Sequence, residues 1–156
     1  MSEFIVRGID RSITTAVRAT LRAPEYGHPV HRELAAGTGP CRECLSAFTV
    51  GAEDRLLFTY SPFRATDQLS QPGPVFIHAE PCTPFTATGY PDGLTTIPIV
   101  AQCHHMDGTI GAPTELSPGA ESATVTMLLE APDVRFLHLR HAKAGCFIAR
   151  VDRVET

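Results

Sequence analysis

The apolar residues of this chain come in short runs, and each run is closed early by proline, glycine or a cluster of polar residues. RLLFTY (55–60) stops at Pro62, VFIHA (75–79) stops at Pro81, and FIVR (4–7) stops at Gly8. Runs of this length, rich in β-branched and aromatic residues, predict short strands. Further strands are predicted around Val30, over 95–102, over 134–140 and over 146–154, with a short one following the hairpin signal Asp107-Gly108. Pro98 places the 95–102 strand at an edge or a bulge. Two helices are predicted. Asp10 caps the first, whose Ile13, Val17 and Leu21 share a face until Pro24. Ser117-Pro118 opens the second, which runs to about Glu130 before Pro132.

The strands follow one another without regular helical crossovers. The expected fold is therefore α+β, a mostly antiparallel β-sheet of six or seven strands with two helices. A chain of 156 residues fits one globular domain spanning 1–156 and is long enough to bury a core without staples.

Composition narrows the function classes. The formal net charge is −4 and the arginines are scattered, so the basic stripe of a nucleic-acid binder is missing. No apolar run approaches the roughly 20 residues of a membrane helix, and the N-terminus lacks the pattern of a secretory signal. The expectation is a cytoplasmic protein with no nucleic-acid or membrane partner, its five cysteines present as thiols or ligands rather than structural disulfides. No nucleophile elbow, phosphate loop, dinucleotide fingerprint or HExxH motif occurs.

Two segments carry chemistry. In GPVFIHAEPC (73–82), an extended backbone sends Val75, Ile77 and Ala79 to the core, and Phe76, His78, Glu80 and Cys82 to the other face. A carboxylate beside an imidazole raises its basicity, and an imidazolium beside a thiol lowers the thiol's pKa. The plain alternative is a half-exposed strand face. The second segment is Cys41-Arg42-Glu43-Cys44. A helix starting at Cys41 would favour its thiolate, as in redox dithiols, but the parallel βαβ context of such proteins is absent. Packing of a turn is the simpler reading. Zinc is a further reading, with Cys41, Cys44 and Cys82 as ligands and Cys103 or His104 as the fourth. No second CxxC supports it, so no cofactor is predicted outright. Arg42 and Arg150 are candidate anion contacts, and Cys146, after Gly145, is expected in the core.

Four segments together resemble the bacterial family named domain of unknown function 1203: Pro40-Cys41-Arg42 with Leu45, GAEDRLLFTYSPF, GPVFIHAEPC and AGCFIARVDR. Their order spans residues 4 to 153. The resemblance implies no activity and no catalytic residues. One stretch departs from it. The family's strand before the Asp-Gly turn carries an arginine and an aromatic, whereas this chain has Val100-Ala101-Gln102-Cys103-His104.

Three functional expectations follow. The first is a small-molecule ligand-binding protein, its ligand anionic, with Arg42, His78 and Glu80 lining a polar cleft. The second is a thiol-dependent enzyme with His78 as general base, Glu80 as its partner and Cys82 or Cys41 as nucleophile. The third is a structural or interaction module, zinc-stabilised or cofactor-free. Neither the ligand nor the oligomeric state is legible.

Overall fold

The computed structural model describes residues 3–63 and 71–154. Two antiparallel sheets and two helices make up the α+β fold. In chain order the elements are β1 (Phe4–Arg7), α1 (Arg11–Thr20), β2 (His31–Leu34), β3 (Asp54–Tyr60), β4 (Gly73–His78), β5 (Ile99–His105), β6 (Thr114–Glu115), α2 (Glu121–Glu130), β7 (Val134–His141) and β8 (Phe147–Arg153). A five-stranded sheet has the order β1-β8-β7-β5-β6, and a three-stranded sheet the order β2-β3-β4. Eight strands are thus seen among the described residues, one or two above the expected count; the two short polar ones, β2 and β6, lie beside Val30 and after the Asp107-Gly108 turn, where short strands were expected.

Each sheet has its own core. One face of the large sheet, with Val6, Ile99, Ala101, Leu137, Leu139 and Val151, packs against Val125 and Leu129 of α2. The small sheet packs Leu56, Phe58, Val75 and Ile77 against Ile9, Val17 and Cys41. The alternation expected along β4 holds, with Val75 and Ile77 fully buried and Phe76 and His78 half-buried.

Helix α1 begins as expected, with the Asp10 carboxylate accepting from the Ser12 amide at 2.8 Å. It ends at Thr20, earlier than Pro24, because Leu21 takes a left-handed conformation (φ 54°) and its amide closes on the Val17 carbonyl. Leu21 is consequently exposed rather than part of the buried face. Helix α2 starts later than Ser117-Pro118. Gly119 has φ +84°, so Pro118-Gly119 forms a turn ahead of the helix instead of its first turn. The strand expected over 95–102 pairs only from Ile99 onward, since Pro98 has no amide to donate to a ladder. Among the described residues no helix is long and apolar enough to cross a membrane.

Two close approaches fix the loop that follows Gly39. An added Cβ at Gly8 would sit 2.0 Å from the Arg42 carbonyl oxygen, and one at Gly93 would sit 2.6 Å from that of Leu45. The Ile9 amide uses the first approach to donate to the Arg42 carbonyl at 2.7 Å.

Candidate metal centre

The CxxC segment folds into a tight knuckle. Pro40 bridges back to Ala47, the Cys41 amide donates to the Ser46 carbonyl at 2.9 Å, and the Leu45 amide donates to the Cys41 carbonyl at 3.0 Å. Leu45 turns the corner with φ 58°. No helix starts at Cys41, so the helix-end activation considered from sequence does not operate here.

Strand β4 lies at the edge of its sheet, and the knuckle docks on that edge. Cys41 bridges Phe76 in parallel, and the Arg42 amide donates to the Phe76 carbonyl at 2.9 Å. That register brings Cys41 next to His78, whose amide donates to the Cys41 sulfur at 3.4 Å. Just past the strand the chain bends at Ala79-Glu80, and Cys82 returns to the same point.

Cys41, Cys44, Cys82 and His78 therefore converge, and their donor atoms all lie within 4.8 Å of one another. This group is able to hold a metal ion. The Cys41 and Cys82 sulfurs are 3.8 Å apart, and the Cys44 sulfur is 3.5 Å from His78 Nδ1. Cys41 is fully buried and the other three are half-buried. All five cysteines are free thiols.

Charged groups surround the cluster in an ordered way. His78 Nε2 faces the Glu53 carboxylate at 3.1 Å. Glu43, inside the CxxC, has its side chain completely buried and pairs with Arg18 at 2.8 Å. The Glu43 carboxylate also accepts from Thr14 and, at 3.3 Å, from the Cys82 thiol. Arg18 reaches the Cys82 sulfur at 3.6 Å and the His78 carbonyl at 3.1 Å.

The sulfurs respond to one another. Hydrogen bonds from Cys44, and secondarily Cys82, hold the Cys41 thiol far below its usual range. The same network, led by Cys41, pushes Cys82 far up. His78 is raised to about 10, first by its bond to Cys41 and then by Cys44, against the opposing effect of burial. The cluster thus favours a Cys41 thiolate beside a protonated Cys82 and a His78 imidazolium.

Other predicted residues lie elsewhere. Glu80 is exposed and 3.7 Å from Arg32, so the carboxylate that contacts His78 is that of Glu53. Arg42 points away from the cluster and is buried. It donates to the Phe147 carbonyl at 2.9 Å, the Pro40 carbonyl at 2.7 Å and the Cys146 sulfur at 3.0 Å. Cys103 and His104 stand on β5 of the other sheet, so the fourth donor is His78 and not either of them. Cys146 is half-buried, held by Arg42 rather than packed in either core.

Glu53 and Arg18 carry no sequence signal, being remote from the motif and of types that are usually solvated. Glu43 had one, its position between the two cysteines.

Residues 38–153 match a family model described as "Protein of unknown function (DUF1203)". No curated protein and no solved structure matches the chain.

Proposed function

The chain belongs to the DUF1203 family, whose description assigns no activity, and we propose from the chemistry of the cluster that it is a zinc-binding protein with a structural Cys3His site. The carrying observation is the spacing of the donors. A zinc tetrahedron with Zn–S near 2.3 Å and Zn–N near 2.0–2.1 Å has S···S edges of about 3.8 Å and S···N edges of about 3.5 Å. Two of the six donor pairs, Cys41–Cys82 and Cys44–His78, stand at 3.8 and 3.5 Å, and all four donors lie within 4.8 Å of one another. Thiols that merely pack a turn have no reason to meet a remote imidazole at these spacings.

The surroundings support the same reading. A zinc-bound histidine commonly gives its second ring nitrogen to a carboxylate, which fixes the tautomer and makes it a better ligand. His78 would bind through Nδ1, the ring nitrogen that faces Cys44, and it presents Nε2 to Glu53. Four protein ligands leave no open position for water or substrate, which is the arrangement of structural rather than catalytic zinc. The metal would tie the knuckle, the end of β4 and the loop at Cys82 into one unit. Free thiols and a thiolate metal site both suit a reducing compartment such as the cytoplasm.

The thiol-enzyme reading has less support. Cys41, the sulfur held lowest, is fully buried, and an attacking thiolate needs access. An anion cleft built on Arg42, His78 and Glu80 is also weaker, because the three side chains point in different directions.

Elemental analysis of protein purified without added metal tests the proposal. The expected result is about one zinc per chain, with Cys44→Ser losing most of it and melting at lower temperature. Less than about a tenth of an equivalent, with no thermal shift on zinc addition to reduced protein, would remove the reading.

A further inference from the structure

The face of the large sheet turned away from α2 carries a row of polar side chains. Arg7 of β1 is directly opposite Arg150 of β8, and Arg150 is directly opposite His138 of β7. Residues opposite each other on neighbouring strands share a face, with Cβ atoms roughly 5 Å apart. The row therefore places two guanidiniums beside a histidine, along one wall of a cleft of about 720 Å³ between the two sheets. That volume is within the roughly 300–1,000 Å³ typical of small-molecule sites.

Two features of the row lack an internal explanation. His138 is 1% exposed and its Nδ1 is buried without a hydrogen-bond partner. A buried polar atom left in this state costs stability unless something satisfies it. Like charges directly opposite one another on a sheet are also unfavourable. Asp152 on the same strand engages Arg150, but among the described residues nothing pairs with Arg7, which is exposed. The other carboxylates of the cleft are occupied. Asp10 caps α1, and Glu43 is held by Arg18 and Thr14.

The remaining lining is mixed, with aromatic rings set among polar side chains such as Arg11 and Thr86. Tyr60 and Phe85 face the cleft, and Phe147 packs edge-on to the His138 ring with centroids 5.1 Å apart. Burial, with the fields of His104, Arg140 and Arg150 adding to it, keeps the His138 ring uncharged. His138 therefore offers a hydrogen bond and the arginines supply the charge.

We propose that this cleft binds a small organic acid, its carboxylate on Arg7 and Arg150, its apolar body along Phe147, Tyr60 and Phe85, and a polar group at His138. A bare inorganic ion would satisfy the guanidiniums but leave the aromatic walls uncovered. The site is separate from the cysteine cluster, so its test does not depend on zinc.

Benzoate is a suitable probe, with benzamide and inorganic phosphate as controls. Binding is followed by NMR of ring-labelled histidines in the full chain, assigned by a His138→Gln variant. Benzoate is expected to shift the His138 signals saturably, with benzamide at least about tenfold weaker for want of the charge-assisted contact. Arg7→Gln, an exposed change that leaves melting unaltered, should weaken benzoate by about tenfold or more. Absence of any benzoate-dependent shift, binding undiminished in Arg7→Gln, or binding of phosphate without benzoate would each overturn the assignment.

Discussion

Glu53 is the residue whose part in the cluster is most open to a clean test. Its carboxylate contacts the ring nitrogen of His78 that faces away from the sulfurs, and its own acidity is strengthened, chiefly by the Thr49 amide. Removing the charge while keeping the shape, as Glu53→Gln does, leaves all four donors in place. Zinc affinity should still fall about 10–100-fold, as for other carboxylates that orient a ligating histidine. Competition with a chromophoric chelator measures this. Affinity equal to the parent's would mean that Glu53 is only a surface partner of His78. At this scale the sequence was partly readable. Strand alternation pointed to His78 and Cys82 and the CxxC to Cys41 and Cys44, while the zinc reading took Cys103 or His104 where the cluster has His78. The same alternation rule misplaced Glu80, because β4 ends at His78 and the next residues bend away. Glu53 could not have been found, since only the β3–β4 pairing brings its neighbourhood to His78.

At the scale of elements, the knuckle is held from behind by two glycines that belong to distant segments. Gly8 sits at the β1–α1 junction and Gly93 in the turn before β5, and each lets a backbone carbonyl of the knuckle approach where a side chain would collide. Gly8→Ala should therefore displace the Arg42 carbonyl and weaken the Ile9 hydrogen bond, at a cost of about 1–3 kcal/mol. Chemical denaturation gives the value. A change within experimental error would show that the junction can shift without loss. The strands with β-branched and aromatic runs were legible, as was the capped start of α1. Strand β2, reading HREL, was expected beside Val30, but its bounds were not legible, because none of its residues is buried enough to impose an apolar alternation. The start of α2 was misread because Pro at a first helical position and Pro in a turn look alike until the conformation of Gly119 is known.

Across the whole molecule, two histidines from different strands meet between the sheets. His104 and His138 have ring centroids 4.4 Å apart, and Phe63 and Phe136 pack against both. Burial, then Arg140, Arg150 and His105, lower His104 to about 4, and burial is the leading cause that lowers His138 to about 2. An unfolded histidine titrates near 6.5, so below that pH the unfolded chain binds protons that the folded chain refuses. Stability should accordingly be full above about pH 6.5 and fall as the pH drops towards 4, by about 1.4 kcal/mol per pH unit for each histidine. A His104→Phe variant should show a shallower slope over the same range in chemical denaturation. Because parent and variant share the cysteine cluster, acid release of zinc cancels in the comparison, and equal slopes would contradict the account. Sequence patterning placed His138 on the strand predicted over 134–140. It said nothing of the meeting of His104 with His138, which depends on the β5–β7 register.

Arg42 adds a constraint on how the molecule comes together. It lies between two ligands of the cluster, yet its guanidinium is lodged against the Phe147 carbonyl and the Cys146 sulfur at the start of the last strand. A cation in so dry a place is tolerable only when all its acceptors have arrived. The knuckle therefore cannot settle until the strand that opens at Phe147 is home, and a chain emerging from the ribosome must first release that strand, more than a hundred residues further on, before this corner closes.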